Sequence, residues 1–464
     1  MQAGGWVRTS PREDPSARVP EPSATTKRAK HAEEAERRRR DRWSWVEPEV
    51  WTERMLAALE QGVKGGRWYS LMDKVYAERR LRAAWQRVQR NGGSAGVDRQ
   101  SVEAFAARAE QNLAEIGQEL RAGTYVPREV RRVWIPKPGR AERRPLGIPV
   151  VKDRVVQGAL KLVLEPIFEA EFAEGSYGFR PQRGCKDALR RVDEMLKGGN
   201  HWVVDVDLQS YFDTIPHAAL LREVERKVSD GRVLHLLGAY LTQGVMDGLE
   251  QWQPEAGSPQ GAVVSPLLAN VYLDPLDQLA AAEGLEMIRY ADDFVILCRS
   301  EAEATAALEL IRTWVEARGL RLHPEKTRIV DASQRGGFDF LGYHFERGQR
   351  WPSKRSERKC RDAVRAKTRR LRPGSMATIA AELNPVVRGW YGYFQHSHWT
   401  AFPGLDGWIR MRLRSILRWR LGRQGRGRGA DHQRWPNAYF VRHGLFTMTM
   451  AHRHAVRALA DQSR

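Results

Sequence analysis

The residues of this 464-residue chain that point most directly to chemistry are aspartates in two short apolar segments. The pattern of residues 202–215 predicts a strand that carries Asp205 and Asp207 two residues apart, and therefore on one face. A second apolar hairpin carries the adjacent pair Asp292 and Asp293 at its tip. Adjacent carboxylates repel one another and are costly without a cation, and Mg²⁺ prefers oxygen ligands. The two segments therefore predict a cation site.

A basic turn indicates a second kind of chemistry. Residues 130–149 alternate apolar side chains around a turn rich in Pro, Gly and Arg, which is typical of a β-hairpin. Its tip is crowded by Lys137, Arg140, Arg143 and Arg144. Such cations suit a triphosphate, because Arg grips two oxygens at once. Taken alone, however, this segment is more typical of an ordinary basic turn.

The charge balance indicates a polyanionic partner. The chain has 77 Lys+Arg against 57 Asp+Glu, a formal net charge of +20. Residues 353–464 hold 24 Lys+Arg and 6 Asp+Glu, so this end alone carries +18. Residues 201–300 instead hold 6 Lys+Arg and 15 Asp+Glu, a balance of −9. An acidic centre within a basic protein suggests cations that face phosphates, although composition alone would equally describe a solvated acidic face.

Composition also disfavours several classes of protein. The opening residues contain no apolar segment, and no run of roughly 18 apolar residues occurs, so secretion and membrane spanning are both disfavoured. The three cysteines lie too far apart for a Cys-x-x-Cys zinc pair. We expect a reducing cytoplasm, with association with the nucleoid. A hydrophobic content of 42 % is enough for real cores.

The C-terminal region contains a helical pattern with two faces. An apolar stripe at helical spacing lies beside arginines that recur every four residues, Arg410, Arg414 and Arg418. We predict that the apolar face packs and that the arginine face binds the phosphates of a polyanion.

Several further motifs follow one another in a fixed order. After residues 207–212 come Ser-Pro-Gln-Gly at 258–261, Tyr-Ala-Asp-Asp at 290–293, the segment 319–327 and Phe-Leu-Gly at 340–342. In this order and spacing the sequence resembles a reverse transcriptase of the group II intron type with its maturase, over about residues 43–464. Further matches lie at residues 91–98, 144–149, 383–385, 388–390 and 435–438.

The resemblance implies an α+β fold, a right-hand polymerase of fingers and palm with an antiparallel sheet, followed by an all-helical thumb and maturase. Residues 1–45 are predicted to be a disordered charged tail and residues 46–125 an N-terminal helical extension. Fingers and palm would span residues 126–345, and the RNA-binding thumb and maturase would span residues 346–464. The family's optional zinc endonuclease has no matching cysteine or histidine cluster here.

The resemblance also assigns roles to the carboxylates. Asp207 and Asp292 would bridge two Mg²⁺ ions, for which Mn²⁺ is an expected substitute, and Asp293 would support the site as a closer or looser ligand. Asp205 and Asp213 are runner-up ligands, and both are more typical of structural residues. Lys326 would donate a proton to pyrophosphate, or contact the template backbone, or form a simple salt bridge.

On the nucleotide side, Lys137 and Arg144 would clamp the triphosphate of a dNTP. Gln260 and the Gly261 backbone would meet its sugar and phosphates. Phe212 would lie beneath the sugar and exclude a ribose 2′-hydroxyl, unless it is simply a core aromatic residue.

The resemblance therefore implies an RNA-directed DNA polymerase that also binds its group II intron RNA and assists splicing and retrohoming. Its expected partners are intron RNA, an RNA template with a DNA or RNA primer, dNTPs and target DNA, with no membrane; a dimer is left open. Other interpretations are a reverse transcriptase of a defence-associated or diversity-generating class, an RNA-dependent RNA polymerase, and a non-catalytic RNA-binding splicing factor.

Overall fold

The computed structural model describes residues 41–63, 65–136, 143–248, 250–258 and 261–462. Lys137 and Gln260, two of the predicted dNTP-binding residues, lie outside the described residues, as do residues 1–40 of the predicted tail.

The N-terminal part of the described chain is helical. Helix α3 packs along the long helix α6, and a Cβ on Gly158 of α6 would lie 3.3 Å from the Ala84 Cβ, so these two helices approach closely. One hydrophobic cluster joins Trp85 of α3 and Phe105 of α4 to the buried face of α6 and to palm residues such as Val206. The predicted N-terminal helical extension therefore shares its core with the palm. The helices are α1 (Glu53–Gln61), α2 (Met72–Val75), α3 (Glu78–Asn91), α4 (Val102–Ala106), α5 (Ala109–Ala122) and α6 (Val151–Glu169).

The predicted basic hairpin is present and belongs to a mixed sheet. Strands β1 (Val130–Pro136) and β2 (Arg143–Ile148) pair antiparallel, with Ile135 opposite Arg144. The sheet has the order β2-β1-β4-β5, in which β1 and β4 (Val245–Asp247) are parallel and β5 (Glu250–Trp252) closes the edge.

The palm sheet has the order β6-β7-β3-β8 and is antiparallel throughout. Because strand side chains alternate, Val203 and Val204 of β3 are buried on opposite faces, in two different hydrophobic clusters. Helix α7 packs on one face and α11 and α12 pack on the other. The elements are α7 (Cys185–Lys197), β3 (Trp202–Asp207), α8 (Tyr211–Thr214), α9 (His217–Glu225), α10 (Gly231–Leu241), α11 (Ser265–Ala282), β6 (Glu286–Tyr290), β7 (Asp293–Cys298), α12 (Glu301–Ala317) and β8 (Arg328–Asp331).

A small antiparallel sheet connects the palm to the C-terminal helices. Its strands are β9 (Phe338–Phe340), β10 (Tyr343–Glu346) and β11 (Gln349–Pro352), in the order β11-β10-β9. The predicted boundary at residues 345/346 would cut the β10–β11 hairpin, because β11 belongs to the part predicted to be all-helical. After β11 the described chain is helical, as predicted: α13 (Lys354–Lys367), α14 (Met376–Phe394), α15 (Ala401–Arg420), α16 (Ala430–Arg434), α17 (Asn437–Arg442) and α18 (Met448–Gln462).

The prediction that Arg414 lies on an exposed, phosphate-binding face of α15 is wrong, because Arg414 is buried. Its residue surface is 3 % exposed, and its Nε donates to the Trp435 carbonyl oxygen at 2.9 Å. Arg418 forms an ion pair with the buried Asp431, and burial lowers the pKa of Arg410. A second layer of helices therefore covers the side of α15 on which helical periodicity predicted a solvent-facing surface.

Among the described helices, none has the length and apolarity that crossing a bilayer requires.

We expect Arg414→Met to destabilise the C-terminal helices by about 1–3 kcal/mol, because it leaves the Trp435 carbonyl and Asn437 Oδ1 without their donor. Thermal unfolding would measure the change. Arg442→Met, at an exposed position of α17, is the matched control and should change stability by about 0.5 kcal/mol or less. Equal midpoints for the two variants would contradict a structural role for Arg414.

Candidate active site

The register of the palm sheet brings the predicted carboxylates together. Strands β3 and β7 pair antiparallel with Asp207 directly opposite Asp293. Asp292 immediately precedes β7, in the turn that follows β6. Ala291 in this turn has a φ of +62°, a left-handed backbone that is unusual for a residue with a Cβ. The structure thus places the carboxylates of two distant segments at one end of the sheet.

The charges of this cluster oppose one another. Burial, followed by the neighbouring charges of Asp205, Asp292 and Asp207, raises the pKa of Asp293 to about 7. Burial also raises the pKa of Asp292, and the charge of Asp207 adds to that shift. Carboxylates that disfavour each other's ionisation are stabilised by a bound cation, which reverses the sign of the local field.

Asp205 is one step removed from this site. It lies opposite Val295 in the sheet and is paired with Arg328, with 3.4 Å between Arg328 Nε and Asp205 Oδ2. Burial raises the pKa of Asp205 to about 6, and Arg328 limits that rise. Because Asp205 already forms an ion pair with Arg328, a structural role is favoured over metal binding.

Lys326 occupies the exposed side of Asp207. Its Nζ lies 2.9 Å and 3.0 Å from the two carboxylate oxygens of Asp207. Three roles were predicted for Lys326: a proton donor, a template contact or a salt bridge. The structure shows the salt bridge. The ammonium contacts both oxygens that a metal ion would need, so Lys326 and a cation would compete for Asp207.

The carboxylate oxygens of this site suit Mg²⁺, provided that substrate phosphates and water supply the remaining ligands. Among the described residues, no group of three or more His, Cys, Asp and Glu side chains is arranged to hold a metal ion by itself. Mg²⁺ is commonly bound through one or two carboxylates together with substrate phosphates and water. The pair Asp207 and Asp292, with Asp293 beside them, supplies hard oxygens of this kind.

A buried arginine that the sequence analysis did not single out supports the aspartate turn from behind. Arg289 is fully buried and forms an ion pair with Asp277 of α11. Its Nη1 donates to the Ala291 carbonyl at 2.9 Å and to Asn270 Oδ1 at 3.0 Å. The guanidinium therefore fixes the backbone of the turn that carries Asp292. A lone basic residue inside an otherwise apolar strand was the available signal.

The segment between α6 and α7 packs against the same turn. The amide of Arg289 donates to the Gly175 carbonyl, and the Tyr177 amide donates to the Arg289 carbonyl, each at 2.8 Å. A Cβ on Gly178 would lie 2.3 Å from the Ala291 backbone nitrogen, so only glycine fits there. The glycines of residues 175–178 thus allow this segment to contact the back of the Asp292 turn.

Of the described nucleotide-side residues, Arg144 acts on a site carboxylate, and Phe212 and Gly261 lie next to β2. The charge of Arg144 lowers the pKa of Asp292, so the basic hairpin faces the site. A Cβ on Gly261 would lie 2.4 Å from the Gly147 carbonyl oxygen, which brings the Gly261 backbone against β2. Phe212 is 8 % exposed and borders a cavity of about 540 Å³ that Gly147 and Gly257 also line.

We expect Arg289→Met to lower the stability of the palm by about 3–5 kcal/mol, because it leaves the Asp277 carboxylate buried and unpaired. Adding Asp277→Asn removes that unpaired charge and should restore part of the loss. Thermal unfolding of the two single variants, the double variant and the parent chain measures the coupling. A double variant as unstable as the sum of the two single changes would contradict a coupled pair.

Comparison with known proteins agrees with this geometry. Residues 135–345 match the family model for reverse transcriptase (RNA-dependent DNA polymerase), and residues 357–435 match the model for the group II intron maturase-specific domain. The protein YkfC of Escherichia coli is 36 % identical over 292 residues, which cover 54 % of this chain and 76 % of YkfC. The group II intron-encoded protein LtrA of Lactococcus lactis subsp. cremoris is 36 % identical over 197 residues, which cover 42 % of this chain but 32 % of LtrA.

A solved structure titled as a partial Cas6-RT-Cas1–Cas2 complex is 23 % identical, with a TM-score of 0.34, and the match covers 53 % of this chain and 41 % of that one. The α+β fold, the palm sheet with its facing aspartates and the matches to both domains agree with one another. The chain belongs to the reverse transcriptases, the RNA-dependent DNA polymerases, that carry a group II intron maturase domain.

Proposed function

We propose that this chain copies RNA into DNA at the Asp207, Asp292 and Asp293 site with two Mg²⁺ ions, and that it binds a group II intron RNA and assists its splicing and retrohoming. The observation that carries the polymerase part is the pairing of Asp207 with Asp293 beside Asp292. Three carboxylates held together against their own repulsion are expected where divalent cations and phosphates must meet.

In the proposed reaction a primer 3′-hydroxyl attacks the α-phosphorus of a dNTP and pyrophosphate leaves. Bound Mg²⁺, or Mn²⁺ in its place, would lower the pKa of the attacking hydroxyl and stabilise charge on the leaving group. Asp207 and Asp292 would hold the ions, and Asp293 would complete the acidic surface. Because the Lys326 ammonium contacts both carboxylate oxygens of Asp207, it would have to move for Asp207 to hold an ion, and it would then be available to a phosphate.

The residues proposed for dNTP binding approach from the basic hairpin and from the loop before α11. Arg144 and Lys137 would grip the triphosphate, and Gln260 with the Gly261 backbone would meet the sugar and phosphates. Phe212 borders the cavity between this loop and β2, and its ring would contact the sugar of a dNTP bound in that cavity. The described positions of Arg144, Phe212 and Gly261 around the carboxylates support this assignment.

The partners that we propose are intron RNA, an RNA template with its DNA or RNA primer, dNTPs and target DNA. The charge of +18 in residues 353–464 and the maturase-specific match at residues 357–435 support the RNA part. A non-catalytic splicing factor would have no need for three ionisable carboxylates at one end of the sheet. We therefore place catalysis and RNA binding in the same chain.

We expect Asp207→Ala and Asp292→Ala each to abolish Mg²⁺-dependent DNA synthesis on a primed RNA template while RNA binding stays nearly intact, because losing a ligand removes chemistry rather than affinity. Primer extension and filter binding measure the two properties. Asp331→Ala, a carboxylate at the far end of the palm sheet, is the matched control. Normal extension by either site variant would refute the proposed site.

We expect Phe212→Val to raise the incorporation of ribonucleotides relative to deoxyribonucleotides, because it opens space beside the cavity where the sugar would lie. Competition between rNTP and dNTP in single-nucleotide extension measures the ratio. Tyr211→Phe is the control, since the Tyr211 hydroxyl donates to the Ala269 carbonyl in the core. An unchanged ratio in Phe212→Val would show that Phe212 is a core residue and not the sugar gate.

A further inference from the structure

We infer that a cleft between the palm and the C-terminal helices is a binding site for a single-stranded RNA segment, with one unstacked base on Trp399; this rests on the proposed RNA binding. The cleft has a volume of about 640 Å³. Its walls come from the end of α7, the β10–β11 turn, the loop between α14 and α15, and the last helix, α18. It is distinct from α15, whose arginine row was the sequence-based candidate.

The walls of this cleft are strongly basic. Lys197, Arg453 and Arg457 are exposed and line it, and they have no ion pair with any carboxylate side chain that the structure describes. Asp193, the acidic residue of the described lining, is already paired with Arg350, with 2.9 Å between Arg350 Nη1 and Asp193 Oδ2. Like charges around one concave surface repel one another, and a phosphodiester backbone would relieve that repulsion.

The mouth of the cleft carries a stacking surface. Trp399 is 61 % exposed, so most of its indole is open to solvent. The centroid of the His398 ring lies 5.7 Å from that of Trp399 and 5.5 Å from that of Trp351, so three aromatic rings adjoin one another here. Exposed aromatic rings beside unpaired cations are the usual platform for unstacked RNA bases.

The position of the cleft separates it from polymerisation. Lys197 ends α7, and the chain then enters β3 at Trp202, the end of the strand opposite Asp207. A strand of this length places the cleft on the order of 20 Å from the carboxylates. Substitutions in the cleft should therefore weaken RNA binding without removing the chemistry.

The test uses the full chain and a fluorescein-labelled oligouridylate of about 20 nucleotides, with binding followed by anisotropy across a salt series. Trp399→Ala should weaken binding about tenfold, while Trp399→Phe, which keeps a ring, should bind nearly as the parent does. The double change Arg453→Gln and Arg457→Gln should reduce the log-affinity versus log-salt slope by about 1.4, from about 0.7 for each single-strand contact. Arg358→Gln with Lys359→Gln, exposed on α13, removes the same charge and should change the slope less.

A 5-iodouridine version of the same RNA should crosslink to the peptide that contains Trp399. The proposed RNA site in the cleft would be overturned if Trp399→Ala and the double arginine variant both bound with parent-like affinity. Crosslinks confined to other segments would also overturn it. Weakening seen with oligodeoxythymidylate but not with oligouridylate would overturn the RNA assignment. Primer extension by the same proteins separates the two claims. A parent that extends primers, with cleft variants that bind RNA normally, refutes the cleft alone; a parent that cannot extend, with Trp399→Ala impaired in binding, refutes the polymerase alone.

Discussion

The mutual repulsion of Asp207, Asp292 and Asp293 is the constraint on which the palm depends. Burial raises the pKa of Asp293 to about 7, and the charges of its neighbours add to that shift, so the cluster favours separation in the absence of a cation. The antiparallel pairing of β3 with β7 prevents that separation, because backbone hydrogen bonds along the strands fix Asp207 opposite Asp293. A shift of the β3–β7 register by one residue would turn Asp207 to the opposite face of the sheet and separate it from the other two carboxylates.

The pairing alone does not hold Asp292, which lies in a turn outside the ladder. Arg289 fills that role by donating to the Ala291 carbonyl while Asp277 neutralises it. A fully buried ion pair is weak evidence for stability, because desolvation offsets much of its attraction. Here its geometric consequence is clear, since the guanidinium also reaches Asn270, which in turn donates to the Gly178 carbonyl. One buried cation thus connects three segments behind the turn.

Features of this structure could be predicted from the sequence where they depend on a local pattern of residues, and not where they depend on contacts between distant segments. Short apolar runs predicted β3 and the hairpin around residues 290–293, and alternation predicted the basic hairpin, because both patterns are local in the sequence. The site partners were predictable only through resemblance, since the pairing of β3 with β7 joins residues about 90 apart. Arg289 was missed because a single charged residue within an apolar strand does not reveal a buried carboxylate 12 residues earlier. The error at Arg414 has another cause: periodicity divides a helix into faces but cannot show that a second layer covers the polar one.

The inward arginines also change what the basic C-terminal end means. Arg412 donates to the Thr368 carbonyl, Arg414 to the Trp435 carbonyl and Arg420 to the Gly374 carbonyl. Hydrogen bonds to carbonyls satisfy these donors without neutralising their charge, whereas Arg418 is neutralised by Asp431. The positive potential of this end therefore persists, although these four guanidinium groups already have partners within the protein. Since screening limits that potential to about 8 Å at physiological salt, it can attract a polyanion but cannot position one. Positioning requires exposed cations with a stacking surface beside them, and in the described chain Trp399, Arg453 and Arg457 combine these features.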